Sequence, residues 1–403
     1  MPAARSSLWT RLKPVVPTFV LLAVLEILLR VAGLGPQGRF DFLLPGGPGG
    51  LYAPDETLSA DWGRIPYVVH STALGLRSTG HPGPRLGASR IVTIGDSVTD
   101  GFFVDDDATL QHFLQRALDE AGHADHEVLN AARGGGSIDK ELAILREVGL
   151  GLKPDVVVLT FVTNDIWELR RKTPEQLDAH ALAVHRRNVG WVRRGGLWFF
   201  TRTAVGEAIF SAWWRFVLTP SGDGQEVEVA PDTDRYAIPG GADHATNSAR
   251  FLRKFGTHDG LVLTDTFSPT TLSLVARYLQ VLTTFVTTCR DHAITPVFVY
   301  FPAYPQVHDP EAPARIQTVL RERCEQLAVP FLDLTGPLRA ASADRVLTLA
   351  PVDFHPNPAG NEVIGRTIAA FLQEQGLLRP DRPRPARSPD RSSSPGSSSS
   401  AGD

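Results

Sequence analysis

Four places in the chain carry residue types that could together cleave an ester. Ser97 ends a Gly-Asp-Ser tripeptide, a glycine-rich turn covers 133–137, Asn164 follows a long apolar run, and His355 lies toward the C-terminal end. A serine needs a base to become a useful nucleophile, and acyl transfer needs hydrogen-bond donors directed at the developing oxyanion. Taken alone, the tripeptide has a simpler interpretation, because Asp and Ser are ordinary turn and N-cap residues.

The elements around these residues predict a doubly wound, flavodoxin-like α/β fold: a sheet of about five parallel strands between two helical layers. Apolar, β-branched runs predict strands at 91–94, 127–132, 155–162, 296–301 and 330–334. Apolar residues at helical spacing predict helices at 107–121, 138–149, 270–292, 311–328 and 359–375. In such a sheet, the ends of strands one, two and three and the loop after strand five converge on one crevice. The four candidate places are therefore expected to lie together.

A helical insertion after strand three is predicted over residues 166–267, where the alternation of strands and helices stops. Its stretch 197–218 is strongly aromatic, with Trp198 and Trp213 among its residues, and carries few charges. Helices packed over the domain are the favoured interpretation. A lid or a membrane-surface helix is the alternative, because Trp and Phe suit an interface. Residues 220–250 predict a loop.

The N-terminal segment 1–34 is predicted to be a signal anchor. Its apolar stretch, 15–32, would span about 27 Å as a helix, close to the thickness of the hydrocarbon core. Twelve Leu, Ile, Val and Phe residues in this stretch contribute roughly −4 to −7 kcal/mol to insertion, against about +3 kcal/mol for Glu26, which Arg30 can pair with. Positive charge ahead of the stretch predicts a cytoplasmic N-terminus and an extracytoplasmic domain. A cleaved signal peptide and an amphipathic helix on a soluble protein are the alternatives.

Composition divides the rest of the chain. Residues 35–88 are predicted to hold a linker and an approach strand. The linker is the Gly- and Pro-rich part, 35–60, and a short strand beside the main sheet follows it. The catalytic domain is predicted over 89–378. The tail 379–403 is rich in Pro, Arg and Ser and is predicted to be disordered.

Charge and cysteine content limit the function classes. The net charge of −4 gives no electrostatic reason to expect nucleic acid as a partner. No His/Cys ligand cluster or Walker-type loop is found, so the sequence predicts neither a metal nor another cofactor. Cys289 and Cys324 are either a disulfide in an oxidising compartment or two buried free thiols.

At its candidate residues the chain resembles the SGNH, or GDSL-type, hydrolase superfamily. The run Gly-Asp-Ser-Val-Thr-Asp-Gly at 95–101 matches the first block of the family, and Asn-Ala-Ala-Arg-Gly-Gly at 130–135 matches the second. The resemblance implies that Ser97 is the nucleophile. It also implies that the backbone amides of Ser97 and Gly135 and the side chain of Asn164 bind the oxyanion.

The chain departs from the family pattern in two blocks. The third block, normally Gly-x-Asn-Asp, reads Val-Thr-Asn-Asp at 162–165, so the glycine is missing and the donor Asn164 remains. The last block is normally Asp-x-x-His, whereas Val352 stands three residues before His355 and the carboxylate, Asp353, stands two before. Either Asp353 orients the histidine from a rearranged turn, or a Ser-His dyad operates with a backbone carbonyl as the orienting group.

The resemblance covers roughly residues 65–378 and implies a serine esterase or acyltransferase that forms an acyl-enzyme. The N-terminal anchor makes the chain similar to membrane-tethered bacterial members of the superfamily. Extracytoplasmic placement favours an O-acyl or O-acetyl group on carbohydrate as substrate, whereas the aromatic insertion favours a lipid ester; an O-acetyltransferase is a further alternative. A membrane-tethered binding module with a silent pocket is the alternative outside enzymes, since a fold alone does not choose among functions.

Overall fold

The computed structural model describes residues 16–36, 48–61, 65–81, 89–170, 191–218 and 235–378. The tail predicted to be disordered lies outside these residues, as do the basic residues ahead of the N-terminal helix.

A five-stranded parallel sheet forms the centre of the fold, as the strand pattern predicts. The strands of the chain are β1 (Thr57–Asp61), β2 (Pro66–His70), β3 (Ser89–Ile94), β4 (His126–Asn130), β5 (Val156–Phe161), β6 (Thr295–Tyr300) and β7 (Phe331–Asp333). The order β4-β3-β5-β6-β7 is the flavodoxin-like order, in which the chain reverses direction of winding at the first strand of the sheet. Ile94 pairs with Leu159, so the ends of β3 and β5 lie side by side.

Helices cover both faces of this sheet, and the described residues form thirteen α-helices in all. They are α1 (Val16–Val31), α2 (Ser97–Asp100), α3 (Leu110–Glu120), α4 (Ile138–Glu147), α5 (Asn164–Leu169), α6 (Trp191–Arg202), α7 (Ala204–Leu218), α8 (His244–Phe255), α9 (Pro269–Asp291), α10 (Tyr304–His308), α11 (Arg315–Gln326), α12 (Thr335–Ser342) and α13 (Pro358–Glu374). Val157 and Leu159 of β5 pack in one core with α4 and α9. Val156 and Val158 pack in a second core with α3 and α13. Successive residues of a strand point to opposite faces, so the fold has the predicted three layers.

The prediction of a linker over 35–60 is wrong for its second half. β1 pairs antiparallel with β2, and Leu51 and Tyr52 are buried in the hydrophobic core. The Tyr52 hydroxyl donates a hydrogen bond to the Asp100 carboxylate of α2, at 2.9 Å. These contacts join residues far apart in sequence, and local Gly and Pro content does not reveal them. The segment therefore packs against the element that begins with Ser97.

Within the predicted insertion, the described residues form α6, α7 and α8. The first two make up the aromatic helix pair (Trp191–Leu218), which agrees with the prediction of helices there. The last, His244–Phe255, begins where a loop was predicted. Its N-cap Asp243 accepts a hydrogen bond from the Thr246 amide at 3.1 Å, which stabilises the first turn.

In the described part of the chain, one helix is long and apolar enough to cross a membrane by length and composition, and it is α9. Its residues Leu274, Tyr278 and Phe285 are buried in the core beside the sheet, as expected of a core helix. The helix predicted at the N-terminus forms as α1, with 16 residues and mostly exposed apolar side chains. Its insertion into a membrane stays a prediction.

The two cysteines are free and buried. Cys289 lies in α9 and Cys324 in α11, both in the core on the same face of the sheet. Of the two alternatives drawn from the sequence, two buried thiols describe this structure.

Candidate active site

Ser97 lies at the junction of β3 and the short helix α2, as the strand-turn-helix pattern predicts. Asp96 is the N-cap of α2 and accepts a hydrogen bond from the Val98 amide at 3.0 Å. A Cβ placed on Gly95 would lie 2.3 Å from Oγ1 of Thr99, so only glycine fits at this point of the turn. The chain thus turns sharply after the strand and presents the serine at the carboxyl edge of the sheet.

His355 brings the second half of the chain to this serine. Its Nε2 lies 2.8 Å from Oγ of Ser97, a hydrogen-bond distance between residues 258 positions apart. On the other side of the ring, Nδ1 is hydrogen-bonded to Oδ1 of Asp353. The structure therefore places nucleophile, base and carboxylate in the order that a Ser-His-Asp triad requires.

A compact turn explains how Asp353 contacts the histidine from two residues away. The backbone amide of His355 donates to Oδ1 of the same carboxylate at 2.9 Å, and the Asp353 amide donates to the Leu349 carbonyl at 3.0 Å. The carboxylate thus folds back over its own turn. Val352, which occupies the usual position of the acid, packs instead against an apolar cluster. Of the two arrangements left open by the sequence, the structure has the geometry of the rearranged turn, and a catalytic role for Asp353 stays a prediction.

The charges of the pair support each other. Burial works against the charged form of both groups, raising the pKa of Asp353 and lowering that of His355, but the attraction between the two outweighs it. The pKa of Asp353 is therefore lowered, and the pKa of His355 is raised from its usual value of 6.5. The rings of Phe102 and Phe103 lie 5.8 Å and 5.3 Å from the imidazole ring and limit its exposure to water.

Asn164 lies beside the nucleophile, as predicted. It is the first residue of α5, directly after β5, and its side-chain amide donates to Oδ2 of Asp96 at 3.3 Å. Burial raises the pKa of Asp96, although the hydrogen bonds it accepts oppose this. A primary amide has two N–H groups. The hydrogen bond to Asp96 uses one of them, so a role of the other as oxyanion donor stays a prediction.

The glycine-rich turn is held by groups on two neighbouring helices. The Gly134 amide donates to Oδ2 of Asp100, the last residue of α2, at 2.9 Å. Nζ of Lys140 donates to the Gly135 carbonyl at 2.7 Å. Because Gly134 uses its N–H within the protein, Gly135 is the better candidate for the oxyanion donor of this turn. Gly135 also has a φ of +71°, in the left-handed region that favours glycine.

An apolar pocket opens next to Ser97 and His355, with a volume of about 200 Å³. Its aromatic lining comes from the insertion, from the segment that links β6 to α10, and from the loop of the histidine. These residues are Trp167, Phe251, Phe255, Phe301, Tyr304 and Phe354. Phe251 meets Phe354 edge to face at 5.1 Å. The sequence did not single out these side chains, because aromatic residues in an irregular insertion carry no recognisable spacing.

Asp259 is an additional acidic residue of the pocket that the sequence did not indicate. Burial raises its pKa to about 6, even though Oγ1 of Thr163 donates to it at 2.6 Å. It is therefore a group whose charge changes near neutral pH. Among the described residues, no group of three or more His, Cys, Asp or Glu side chains is arranged to hold a metal ion.

Fold and site together define a class: α/β proteins that carry a serine, a histidine and an aspartate at the carboxyl edge of a parallel sheet. Residues 93–215 match the model of the GDSL-like Lipase/Acylhydrolase family. The segment contains Ser97, Gly135 and Asn164 and ends before Asp353 and His355. No curated protein sequence matches the chain.

Several solved structures are similar at low identity. The crystal structure of TesA aligns at 15% identity over 72% of this chain and 100% of its own, with a TM-score of 0.38. An acetyl xylan esterase, AlAXEase, aligns at 13% identity over 70% and 98%, with a TM-score of 0.38. The lipase/acylhydrolase from Enterococcus faecalis aligns at 17% identity over 73% and 100%, also with a TM-score of 0.38. At TM-scores below 0.5, these similarities do not bear on the activity of the chain.

We expect Asp353→Asn to lower kcat on an activated ester by about 10⁴-fold, because an amide can hold the histidine in the wrong tautomer. Steady-state kinetics on the full chain measure this, and the exposed Asp344→Asn is the matched control. Near-wild-type turnover in Asp353→Asn would instead support the Ser-His dyad.

The rate should depend on pH through His355. A base must be unprotonated, so kcat/KM should rise with pH as the imidazolium loses its proton, and the raised pKa places the midpoint above 6.5. In Asp353→Asn the midpoint should move to lower pH, because burial remains while the stabilising charge is gone. A pH–rate profile of both proteins measures the two midpoints, and an unchanged midpoint would contradict the assigned cause.

Asp100 should position the glycine-rich turn. In Asp100→Asn the Gly134 amide loses a charged acceptor, and we expect kcat/KM to fall by about 10²-fold, the order seen when one oxyanion donor is lost. Tyr52→Phe removes the other hydrogen bond to Asp100 and keeps the carboxylate, so it should lower thermal stability with less effect on the rate. If kcat/KM falls in both variants in proportion to their loss of thermal stability, Asp100 only supports folding.

Proposed function

We propose that the protein is a serine esterase that forms an acyl-enzyme. The observation that carries the proposal is the hydrogen bond between Ser97 Oγ and His355 Nε2 at 2.8 Å, with Asp353 bound to the other ring nitrogen. A merely structural serine at a helix start has no need of a histidine oriented in this way. The match of residues 93–215 to a lipase/acylhydrolase family supports the same activity.

In each half-reaction of the proposed mechanism, His355 acts first as general base and then as general acid. His355 Nε2 takes the proton of Ser97 while Oγ bonds to the ester carbonyl carbon, and the carbonyl π pair moves onto oxygen. The amides of Ser97 and Gly135 and the free N–H of Asn164 bind this oxyanion. Collapse breaks the bond to the leaving alkoxide, which receives the proton from the imidazolium. Water, or a sugar hydroxyl, then attacks the acyl-enzyme by the same steps and releases the serine.

For the substrate, we propose an O-acyl group, with acetyl foremost, on carbohydrate outside the cytoplasm. This rests on the proposed N-terminal anchor, which would hold the domain on the outer side of the membrane. The aromatic pocket favours the second candidate, a lipid ester, because its Phe251, Phe255 and Phe354 side chains form an apolar lining beside the serine. An acetyltransferase differs from both only in the acceptor that resolves the acyl-enzyme.

We expect the full chain to hydrolyse p-nitrophenyl acetate faster than p-nitrophenyl octanoate, with no activity above background in Ser97→Ala. Initial rates over an ester series from two to twelve carbons measure this. A maximum at eight carbons or more would contradict the deacetylase and support the lipid esterase. Addition of a soluble sugar acceptor that diverts the acetyl group from water would indicate transfer.

A fluorophosphonate probe separates the enzyme from a silent binding module. We expect one covalent label per folded chain, absent in Ser97→Ala and present in Ser342→Ala, which replaces an exposed-helix serine outside the site. Folded wild-type protein that takes no label would contradict the proposed activity.

A further inference from the structure

The N-terminal helix α1 is joined to the aromatic helix pair by a polar contact. Glu26 accepts hydrogen bonds from the backbone amides of Ala204 and Val205, at 3.1 and 3.0 Å. Those amides belong to the first turn of α7, where N–H groups lack partners within the helix and the helix dipole favours a negative charge. Arg30 pairs with Glu26 at 2.7 Å and also donates to the Arg202 carbonyl at the end of α6, at 3.2 Å. Both partners of the ion pair therefore bind the junction between the two helices.

The remaining surface of α1 is apolar and unburied. Leu22, Glu26 and Leu29, spaced by four and three residues, lie on the face toward the helix pair and are partly buried. Around the rest of the helix, large side chains are 41 to 82% exposed: Phe19, Val20, Leu21, Val24, Leu25, Ile27, Leu28 and Val31. A helix that is apolar on nearly all sides is typical of a membrane span or a buried core.

The helix pair continues this apolar surface. Trp198, Ile209 and Trp213 are 59, 49 and 51% exposed. Tryptophan is enriched where hydrocarbon meets the polar layer of a bilayer, because its ring is apolar and its N–H is polar. Two exposed tryptophans next to an exposed apolar helix fit a lipid surface better than they fit water.

The position of Glu26 along α1 determines how deep in a bilayer the junction of the helix pair would lie. It lies five residues before the end of α1, or about 8 Å along the axis. Half of a hydrocarbon core is about 15 Å, so an inserted α1 would place the junction of the helix pair in the outer leaflet, toward the side of the catalytic domain. The partly buried carboxylate would there be neutralised by Arg30 and hydrogen-bonded by the two backbone amides.

The opposite side of the helix pair contacts the catalytic domain. Val205 and Glu207 are buried, and Phe210 packs against the cluster that contains Tyr67 and Phe103. The ring of Phe103 lies 5.3 Å from that of His355. One element thus lies between the N-terminal helix and the surroundings of the catalytic histidine.

We propose that the aromatic helix pair lies in the outer interfacial layer of a lipid bilayer, bound to α1 through Glu26 and Arg30, and holds the active-site pocket at the membrane surface. This inference rests on the proposed anchor and is independent of the esterase reaction. The partner of this apolar surface is the lipid bilayer itself. The helix pair is held in one position relative to α1 by the contacts of Glu26 and Arg30.

Photocrosslinking tests the proposal on the full chain in phosphatidylcholine vesicles. A benzophenone amino acid replaces Trp198, Trp213 or, as a control, Leu272, which is 49% exposed on α9. We expect lipid adducts by mass spectrometry at the two tryptophan positions, at several times the yield at the control. Equal yields at all three positions, or adducts with a second copy of the chain or another protein in place of lipid, would overturn the proposal.

A pair of substitutions at Glu26 tests the contact itself. Glu26→Leu removes the acceptor and should lower the lipid adduct at position 213 by about fivefold, the factor typical of losing a helix cap. Glu26→Gln keeps an oxygen acceptor and should lose less. Unchanged adduct yield in Glu26→Leu would overturn the role of the carboxylate.

Two further measurements separate the possible failures. Release of the wild-type chain from vesicles by alkaline carbonate would contradict the anchor, whereas retention without lipid adducts would contradict the docking of the helix pair alone. Hydrolysis of a short soluble ester should be the same in Glu26→Leu and wild type, since Glu26 contacts no group of the catalytic site. If Glu26→Leu loses both ester hydrolysis and the lipid adducts, the variant has a general folding defect, and the specific role assigned to Glu26 in docking is overturned.

Discussion

The hydrogen bond between Ser97 and His355 is the contact on which the functional interpretation depends, and it constrains the whole fold. The two residues belong to opposite ends of the domain, one after the first strand of the sheet and one just before the last helix. They meet because parallel strands end on the same edge of the sheet. In addition, α13 packs against α3 on one face of the sheet, in the same core as residues of β3. The cores on the two faces therefore determine the 2.8 Å contact as directly as the catalytic residues do.

Around that contact, buried charge is balanced locally. Asp353 is compensated by the imidazole and by a backbone amide of its own turn. Asp100 accepts hydrogen bonds from Tyr52 and from Gly134 and lies near two arginines. Arg77, which is fully buried, donates to the carbonyl oxygens of Asp100, Gly101 and Val104. Unpaired charges would be costly at these depths. Pairing them fixes the loop after α2 and the glycine-rich turn relative to the serine.

The insertion has a different relation to the sheet. Its described residues add no strand to the sheet. Within them, α8 contributes apolar side chains to the pocket, and the aromatic helix pair joins α1 to the cluster beside His355. Both proposed contacts, with substrate and with the membrane, thus involve the segment that interrupts the regular α/β pattern. This is consistent with functional residues lying on segments that a rigid scaffold positions. An anchor and an active site joined by one element would restrict the enzyme to substrates near the membrane surface.

The sequence by itself determined the sheet, its strand order and the serine, asparagine and histidine at its edge. Strand patterns are local, and strands that alternate with helices indicate a doubly wound parallel sheet, whose carboxyl edge brings together the residues that follow its strands. Tertiary structure decided the rest, for reasons of distance along the chain. The sequence left open whether Asp353 reaches the histidine, and the structure shows the turn that folds its carboxylate back onto the imidazole. The resemblance already indicated Gly135, and the hydrogen bond from the Gly134 amide to Asp100 supports that choice. Leu51 and Tyr52 looked like linker because their partners lie some 50 residues away. The aromatic pocket and the Glu26 contact likewise join segments that are distant in sequence, so no local residue pattern predicts these contacts.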